Sequence, residues 1–231
     1  MHGEPVWDVD PEEHAAQLDT VLELTEPEST VLDLGAGSGR IAVPLAEAGR
    51  IVIAVDRDGE ALAALGERAP DVRRYEVDVL DPSVPLVPPD SGVIDAAVCV
   101  GNTFALIREP SSAASLLRRL RPLMAPGAVF AIDDFPLAGW AELIEGNWQS
   151  GVSDDGEMQL VWSAHENLFA VRTGEAIDPE CWELMPDDAV MRLWTLGELE
   201  LLGMLTGFSP PEAPDGSSLV LMRAAEHRDV R

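Results

Sequence analysis

Asp33 sits in the apolar run Val31 to Leu34, two residues before the first of three alternating glycines, Gly35, Gly37 and Gly39. A carboxylate at that spot can face an ammonium group and would repel a pyrophosphate. The glycines allow turns closed to other residues and leave backbone open to a ligand, while Gly39 lets the next helix approach closely. A dinucleotide fingerprint wants glycine where this chain has Arg40, so Asp33 and Arg40 together oppose a dehydrogenase. Further polar groups close successive apolar runs. Asp56 ends the β-branched run Ile51 to Val55 and can accept both hydroxyls of a ribose; Asp78 ends Val72 to Val77, where it reads equally as a turn acid. Ile94 to Val100 leads into Gly101-Asn102-Thr103-Phe104, and Ala128 to Ile132 into Asp133-Asp134, a pair that reads equally as a cap or turn. These positions suit a nucleoside ligand that carries an ammonium group.

Positioning such groups takes strands whose C-terminal ends line up. The five runs are continuous and apolar, as in parallel strands buried on both faces. Helical spacing fills the gaps at Ser38 to Ala48, Asp58 to Ala69 and Ser111 to Met124, the last with Leu116, Leu117 and Leu120 on one face. Arg118, Arg119 and Arg121 read as its solvated side. A leading helix spans Pro11 to Thr25, capped by Asp10. Strand and helix in alternation predict an α/β, Rossmann-like, mostly parallel sheet flanked by helices.

After Asp134 the pattern changes. Met158 to Ser163, Leu168 to Arg172, Cys181 to Met185 and Val190 to Trp194 are short β-prone runs, which predict an antiparallel β insertion after strand five. A helix from Leu196 to Leu205, capped by Thr195 and stopped at Gly207-Phe208, precedes a last strand, Ser217 to Met222, pairing back into the sheet. The expected single domain thus divides into an N-terminal helix and lid (1–28), a ligand-binding core (29–135), a β-rich cap (136–194) and a closing helix and strand (195–231).

With 231 residues, 46% of them hydrophobic, one sizeable core is affordable. The net charge is −27 and all 15 basic residues are arginine, which argues against a nucleic-acid partner. No apolar run reaches membrane-spanning length, and the N-terminus is acidic where a signal peptide is basic, so a cytoplasmic location is expected. Cys99 and Cys181 read as reduced thiols, and no metal-ligand spacing occurs.

Val31 to Arg40, with Asp56, Asp78-Val79 and Gly101 to Phe104 following in register, resembles class I S-adenosylmethionine-dependent methyltransferases of the small-molecule type. The likeness covers roughly residues 10–135 and 192–223. In that family the acid at Asp33 helps hold the methionine amino group, often through water, and the acid at Asp78 with the Val79 amide reads adenine. The cofactor residues so implied are Trp7, Asp33, Gly35, Gly37, Gly39, Asp56, Arg57, Asp78, Val79, Gly101 and Asn102. Trp7 would lie in a segment folded over the cofactor and shield its sulfonium. Related glycine and sarcosine N-methyltransferases carry a histidine where this chain has Leu106, so no histidine role is carried over from them. The family usually has a regular sixth strand where Ser209 to Pro214 holds three prolines, so that strand is expected to be short or irregular.

Methyl transfer asks for an in-line, correctly protonated nucleophile. Asn102 is the candidate to position it, Asp134 to orient an amine or take a proton, and His165 a candidate general base that competes with a structural role. Phe104, Trp162 and Trp182 are candidate contacts for the acceptor. Five of the six tryptophans, Trp140, Trp148, Trp162, Trp182 and Trp194, fall in or beside the insertion, with a homodimer interface as their alternative use. The expected activity is methyl transfer to a small-molecule acceptor in a biosynthetic pathway, with amine nitrogen favoured. C- or O-methylation of an indole or phenol, and cofactor binding without turnover, stay open beside it.

Overall fold

The computed structural model describes residues 11–133, 151–153, 155–214 and 218–225. Along them run α1 (Pro11–Glu23), β1 (Thr30–Leu34), α2 (Ala42–Glu47), β2 (Ile51–Asp56), α3 (Gly59–Arg68), β3 (Arg73–Glu76), β4 (Ile94–Cys99), α4 (Pro110–Leu120) and β5 (Met124–Asp133). Then come β6 (Met158–Trp162), β7 (Leu168–Thr173), β8 (Met191–Arg192), α5 (Leu196–Thr206) and β9 (Leu219–Arg223). Six strands form one sheet in the order β3-β2-β1-β4-β5-β9; the first five are parallel and β9 pairs antiparallel to β5. The strand order reverses between β1 and β4, which opens a crevice beyond their C-terminal ends.

Continuous apolar strands follow from cover on both faces. Leu32, Leu34, Ile53 and Val55 pack with α4 and α5 through Leu116, Leu117, Leu199 and Leu202. Their alternates Val31, Val52 and Ala54 pack with α1, α2 and α3 through Val21, Leu45, Leu62 and Leu65. Asp33 shares the second face, and that sets its surroundings.

Several boundaries differ from the sequence expectation. Residues 38–41 belong to the glycine turn, so α2 begins only at Ala42. Pro110 occupies the first turn of α4, which ends at Leu120, and Met124 already starts β5. Arg119 and Arg121 are not a solvated face: Arg119 donates to the carbonyls of Val79 and Val84, and Arg121 to those of Gly207 and Ala225. The stretch after α5 is irregular as expected, reduced to isolated bridges of Phe208 with Ala224 and Glu212 with Leu221.

The insertion forms a three-stranded antiparallel sheet, β6-β7-β8. Cys181 to Met185 is not one of its strands, and Val190 to Trp194 contributes only the two residues of β8. Side chains hold the backbone there instead. Gln159 donates to the carbonyls of Asp178 (2.7 Å) and Cys181 (3.2 Å), and Arg172 to those of Cys181 (3.1 Å) and Glu183 (2.9 Å). Satisfied in this way, the carbonyls of Asp178, Cys181 and Glu183 need no ladder. The small sheet rests on the turn after β4, where Ala105 packs with Phe169 and Met191.

Candidate functional site

β1 ends in a turn whose three glycines all have positive φ. At Gly39 a Cβ would lie 2.4 Å from Leu65 of α3, and at Gly35 it would lie 2.3 Å from Thr103, so any side chain would push α3 or the β4 turn away. At Gly37 a Cβ would meet nothing within 4 Å, because that residue borders a cleft. The cleft, about 230 Å³, is walled by Asp33, Gly35, Gly37, Arg40, Gly101 and Thr103 among others. It lies at the reversal of strand order, where open α/β sheets bind ligands.

Asp33 is the chemical centre of this cleft. Only 2% exposed, it carries a buried Oδ2 without a hydrogen-bond partner. Burial raises its pKa from 3.8 to about 7, opposed by Arg40 and by the Ala42 amide and reinforced by Asp56. A cation placed against Oδ2 would satisfy the oxygen and pull that value down. Arg40 also lines the cleft, giving Nη1 to His14 Nδ1 (2.9 Å) and Gln17 Oε1 (3.0 Å) of α1. Its Nη2 is also buried and unpartnered.

The β4 turn is held by a carboxylate that the sequence reading left among turn acids. Asp133, at the end of β5, accepts the amides of Gly101 (3.0 Å) and Asn102 (2.7 Å) and also Nε2 of Gln17 (3.0 Å). Those bonds fix Asn102 at φ 63, an unusual backbone for a residue with a side chain. Burial raises the Asp133 carboxyl, and the two amides, Arg40 and Gln17 counter it. Asp133, Gln17 and Arg40 were missed as site residues. The one available signal was a glutamine on the same helical stripe as Val21, which is buried like it.

The other candidates divide. Asp56 ends β2, with Oδ2 accepting the Gly37 amide (2.7 Å) and Oδ1 that of Asp58 (2.9 Å), which leaves second lone pairs for hydroxyl donors. Arg57 follows it, exposed. Asp78 is exposed at the end of β3, turning onto the Leu80 amide (2.8 Å), and the Val79 carbonyl is taken by Arg119 (2.7 Å). Asp56 lies two residues past Ala54, the register partner of Asp33, Asp78 lies two residues past β3, and neither is among the cleft walls.

Phe104 is a correction. It is 2% exposed and packed between Phe130 and Trp194, with ring centroids at 5.9 and 5.2 Å, so it offers no face to an acceptor. Trp194 in turn donates to the Phe104 carbonyl (3.0 Å) and fastens the insertion to the core. Trp162 is half-buried against Phe169, and Trp182 is 55% exposed on the 178–190 loop. His165 stands exposed in the β6–β7 turn and is not among the cleft walls. Trp7, Asp134, Trp140 and Trp148 lie outside the described residues.

Comparison with known proteins agrees with this geometry. Residues 31–127 match the model of a methyltransferase domain family. A cypemycin N-terminal methyltransferase from a Streptomyces species is 34% identical over 106 residues, which span 45% of this chain and 41% of that protein. The fold matches the CcbJ methyltransferase of Streptomyces caelestis with a TM-score of 0.65 at 19% identity, covering 94% of this chain and 97% of that one. It also matches S-adenosylmethionine-bound CalS10, an amino pentose methyltransferase of Micromonospora echinaspora, with a TM-score of 0.60 at 14% identity, covering 97% and 100%. A glycine cradle at the switch point with an unsatisfied buried carboxylate fits the methionine end of that cofactor. Residues 31–127 therefore match a methyltransferase domain, and the chain has the fold of solved S-adenosylmethionine-dependent methyltransferases.

Proposed function

We propose that this protein transfers a methyl group from S-adenosylmethionine to an amine nitrogen of a small-molecule acceptor. The observation that carries the reading is the buried, unpartnered Asp33 Oδ2 in the cleft beyond β1 and β4. When bound, the cofactor supplies an activated methyl on a sulfonium. Asp33 would hold its ammonium, Gly35 and Gly37 would let it approach the backbone, and Asp56 would accept ribose hydroxyls. Asp78 and the Val79 amide would meet the adenine. Asp133, by fixing the Gly101–Asn102 turn, would set where the Asn102 side chain meets the incoming nucleophile. Asp134, the next residue in the chain, would orient the amine or take its proton. Residues 136–194 would act as the substrate cap.

Support for nitrogen comes from the acceptors named for two relatives, a peptide N-terminus and an amino pentose. A net charge of −27 also favours acceptors that arrive as cations. The exposed Trp182 supports a second reading, methylation of an aromatic carbon or oxygen, because its face is free to stack. The test is mass spectrometry of products formed with methyl-labelled cofactor from parallel panels of amino sugars, peptide N-termini, phenols and indoles. Label on amines supports the proposal, and label only on phenols or indoles replaces it with the second reading. Tight cofactor binding with no labelled product in any panel identifies a binding protein.

A further inference from the structure

Gln17 is a polar residue in an apolar place. It is 1% exposed on α1, a helix whose other buried residue is Val21, and its Nε2 donates to Asp133 Oδ1 (3.0 Å), with Ser218 Oγ (3.2 Å) and Glu13 Oε1 (3.4 Å) beside it. Its Oε1 accepts Arg40 Nη1 (3.0 Å). Only a side chain with an acceptor and a donor at its tip can meet a guanidinium and a carboxylate at once. A glutamate would repel Asp133, and a leucine of similar size would leave both groups short of a bond. Arg40 supplies the positive charge that opposes the burial of both Asp33 and Asp133. Asp133 in turn accepts the amides of Gly101 (3.0 Å) and Asn102 (2.7 Å), the bonds that hold Asn102 at φ 63. Such bonds are strongest to a charged carboxylate, and Arg40 and Gln17 both favour that charge.

We propose that Gln17 is a positioning residue for methyl transfer: by joining Asp133 to Arg40 it makes the docking of α1 set the Gly101–Asn102 turn, and with it the place of the Asn102 side chain. This rests on the functional reading above and extends it to α1; Gln17 itself touches neither cofactor nor acceptor in this role. The charged and titratable groups around the link are Arg40 from the glycine turn, Glu13 and His14 on α1, Asp33 on β1 and the Cys99 thiol on β4. Arg40 keeps its charge throughout, and burial holds Cys99 neutral. Asp33 and His14 also titrate, so a test must read Asp133 directly.

Heteronuclear NMR of isotopically labelled wild-type protein reads the link without any variant. As pH is lowered, the Gln17 Nε2 protons and the Gly101 and Asn102 amide protons should shift together, with the midpoint of the Asp133 carboxyl carbon. A Gln17 side chain that ignores that midpoint overturns the proposal. Turnover then separates positioning from support, with methyl-labelled S-adenosylmethionine and panels of amino sugars and peptide N-termini as the probes. Gln17→Leu should lower the rate of label transfer at saturating cofactor by at least about tenfold, as expected when a reacting group is misplaced, while S-adenosylhomocysteine affinity by calorimetry stays within about threefold. Gln17→Glu keeps the bond to Arg40, so α1 stays tied, yet it should lose rate as well, and Asp133 should titrate at higher pH than in the wild type. A Gln17→Glu protein with the wild-type rate, or a Gln17→Leu protein that loses rate and affinity in equal measure, makes Gln17 a tie for α1 and overturns the positioning role. If wild-type protein binds no S-adenosylhomocysteine or labels no acceptor, the failure lies with the methyl-transfer reading, and the shared titration of Gln17 and Asp133 is unaffected.

Discussion

Two buried arginine and aspartate groups in this molecule are finished to different degrees. In the insertion, Arg172 and Asp188 are 5% and 8% exposed and meet through two parallel 2.8 Å contacts, Nε to Oδ1 and Nη2 to Oδ2. The Cys181 and Glu183 carbonyls and the Met185 amide complete the set. In the cleft, Asp33 and Arg40 each keep an unpartnered buried atom. A bidentate, saturated pair organises a loop. The open pair keeps polar atoms desolvated without partners, which costs free energy in the ligand-free protein, so the same two residue types are saturated in one place and left open in the other.

The saturated pair should show the largest stability effect. Asp188→Ala leaves Arg172 buried without its partner, and unfolding should become easier by about 3–5 kcal/mol. Cofactor affinity should stay within a few-fold. Because Arg172 holds the Asp188 carboxyl below its usual range, this stabilisation is present above the unfolded-state value and is lost as pH falls through the lower folded one. Denaturant melts between neutral and acidic pH check both points, and unchanged stability of the variant would refute the contrast.

The open pair should respond with the opposite sign. Asp33 has a folded pKa of about 7 against an ordinary 3.8, so its contribution to stability is complete below the unfolded value and is lost as pH rises through 7. At pH 8, Asp33→Asn should therefore stabilise the ligand-free protein by about 2–4 kcal/mol while cofactor binding largely disappears. In the wild type, cofactor affinity should be level above pH 7 and fall by up to about tenfold per unit below it, since binding must expel a proton from Asp33. A flat profile from pH 5 to 8 would detach Asp33 from the ammonium.

Smaller effects sharpen the comparison. Asp56→Ala removes the acceptor for the Gly37 amide and for ribose hydroxyls, and cofactor binding should weaken by about 1–3 kcal/mol. Equal binding of adenosine to variant and wild type would show that the loss lies in the turn. Trp162→Ala should alter acceptor KM by about 0.5–1.5 kcal/mol and leave cofactor affinity alone. A change in mass by light scattering with constant selectivity would mark Trp162 as an interface residue.

Legibility followed the range of the forces involved. β1, β2, β4 and β5 could be read from the chain because burial on both faces leaves no room for polar alternation, and the turn at 35–39 because only glycine tolerates three positive φ angles in five residues. Asp33 and Asp56 could be placed from the strands they end. The strand expected at Cys181 to Met185 failed because local propensity was overridden by Arg172 and Gln159, whose side chains captured its backbone groups. Phe104 was misassigned because an aromatic beside a motif looks the same whether it faces a ligand or Phe130.

The amino-acid order alone therefore determined the strand and helix alternation, the switch-point turn and the acids at the strand ends, since each depends on neighbours a few residues away. It could not reveal which charges stay unsatisfied. Gln17 reaches Asp133 across 116 positions, and the Arg40 contact with α1 spans 23 to 26, so their partners exist only once the sheet has closed and α1 has docked. Satisfaction of a buried polar atom is a property of the packed surroundings, and that is why the unpartnered atoms of Asp33 and Arg40 could be identified only in the folded chain.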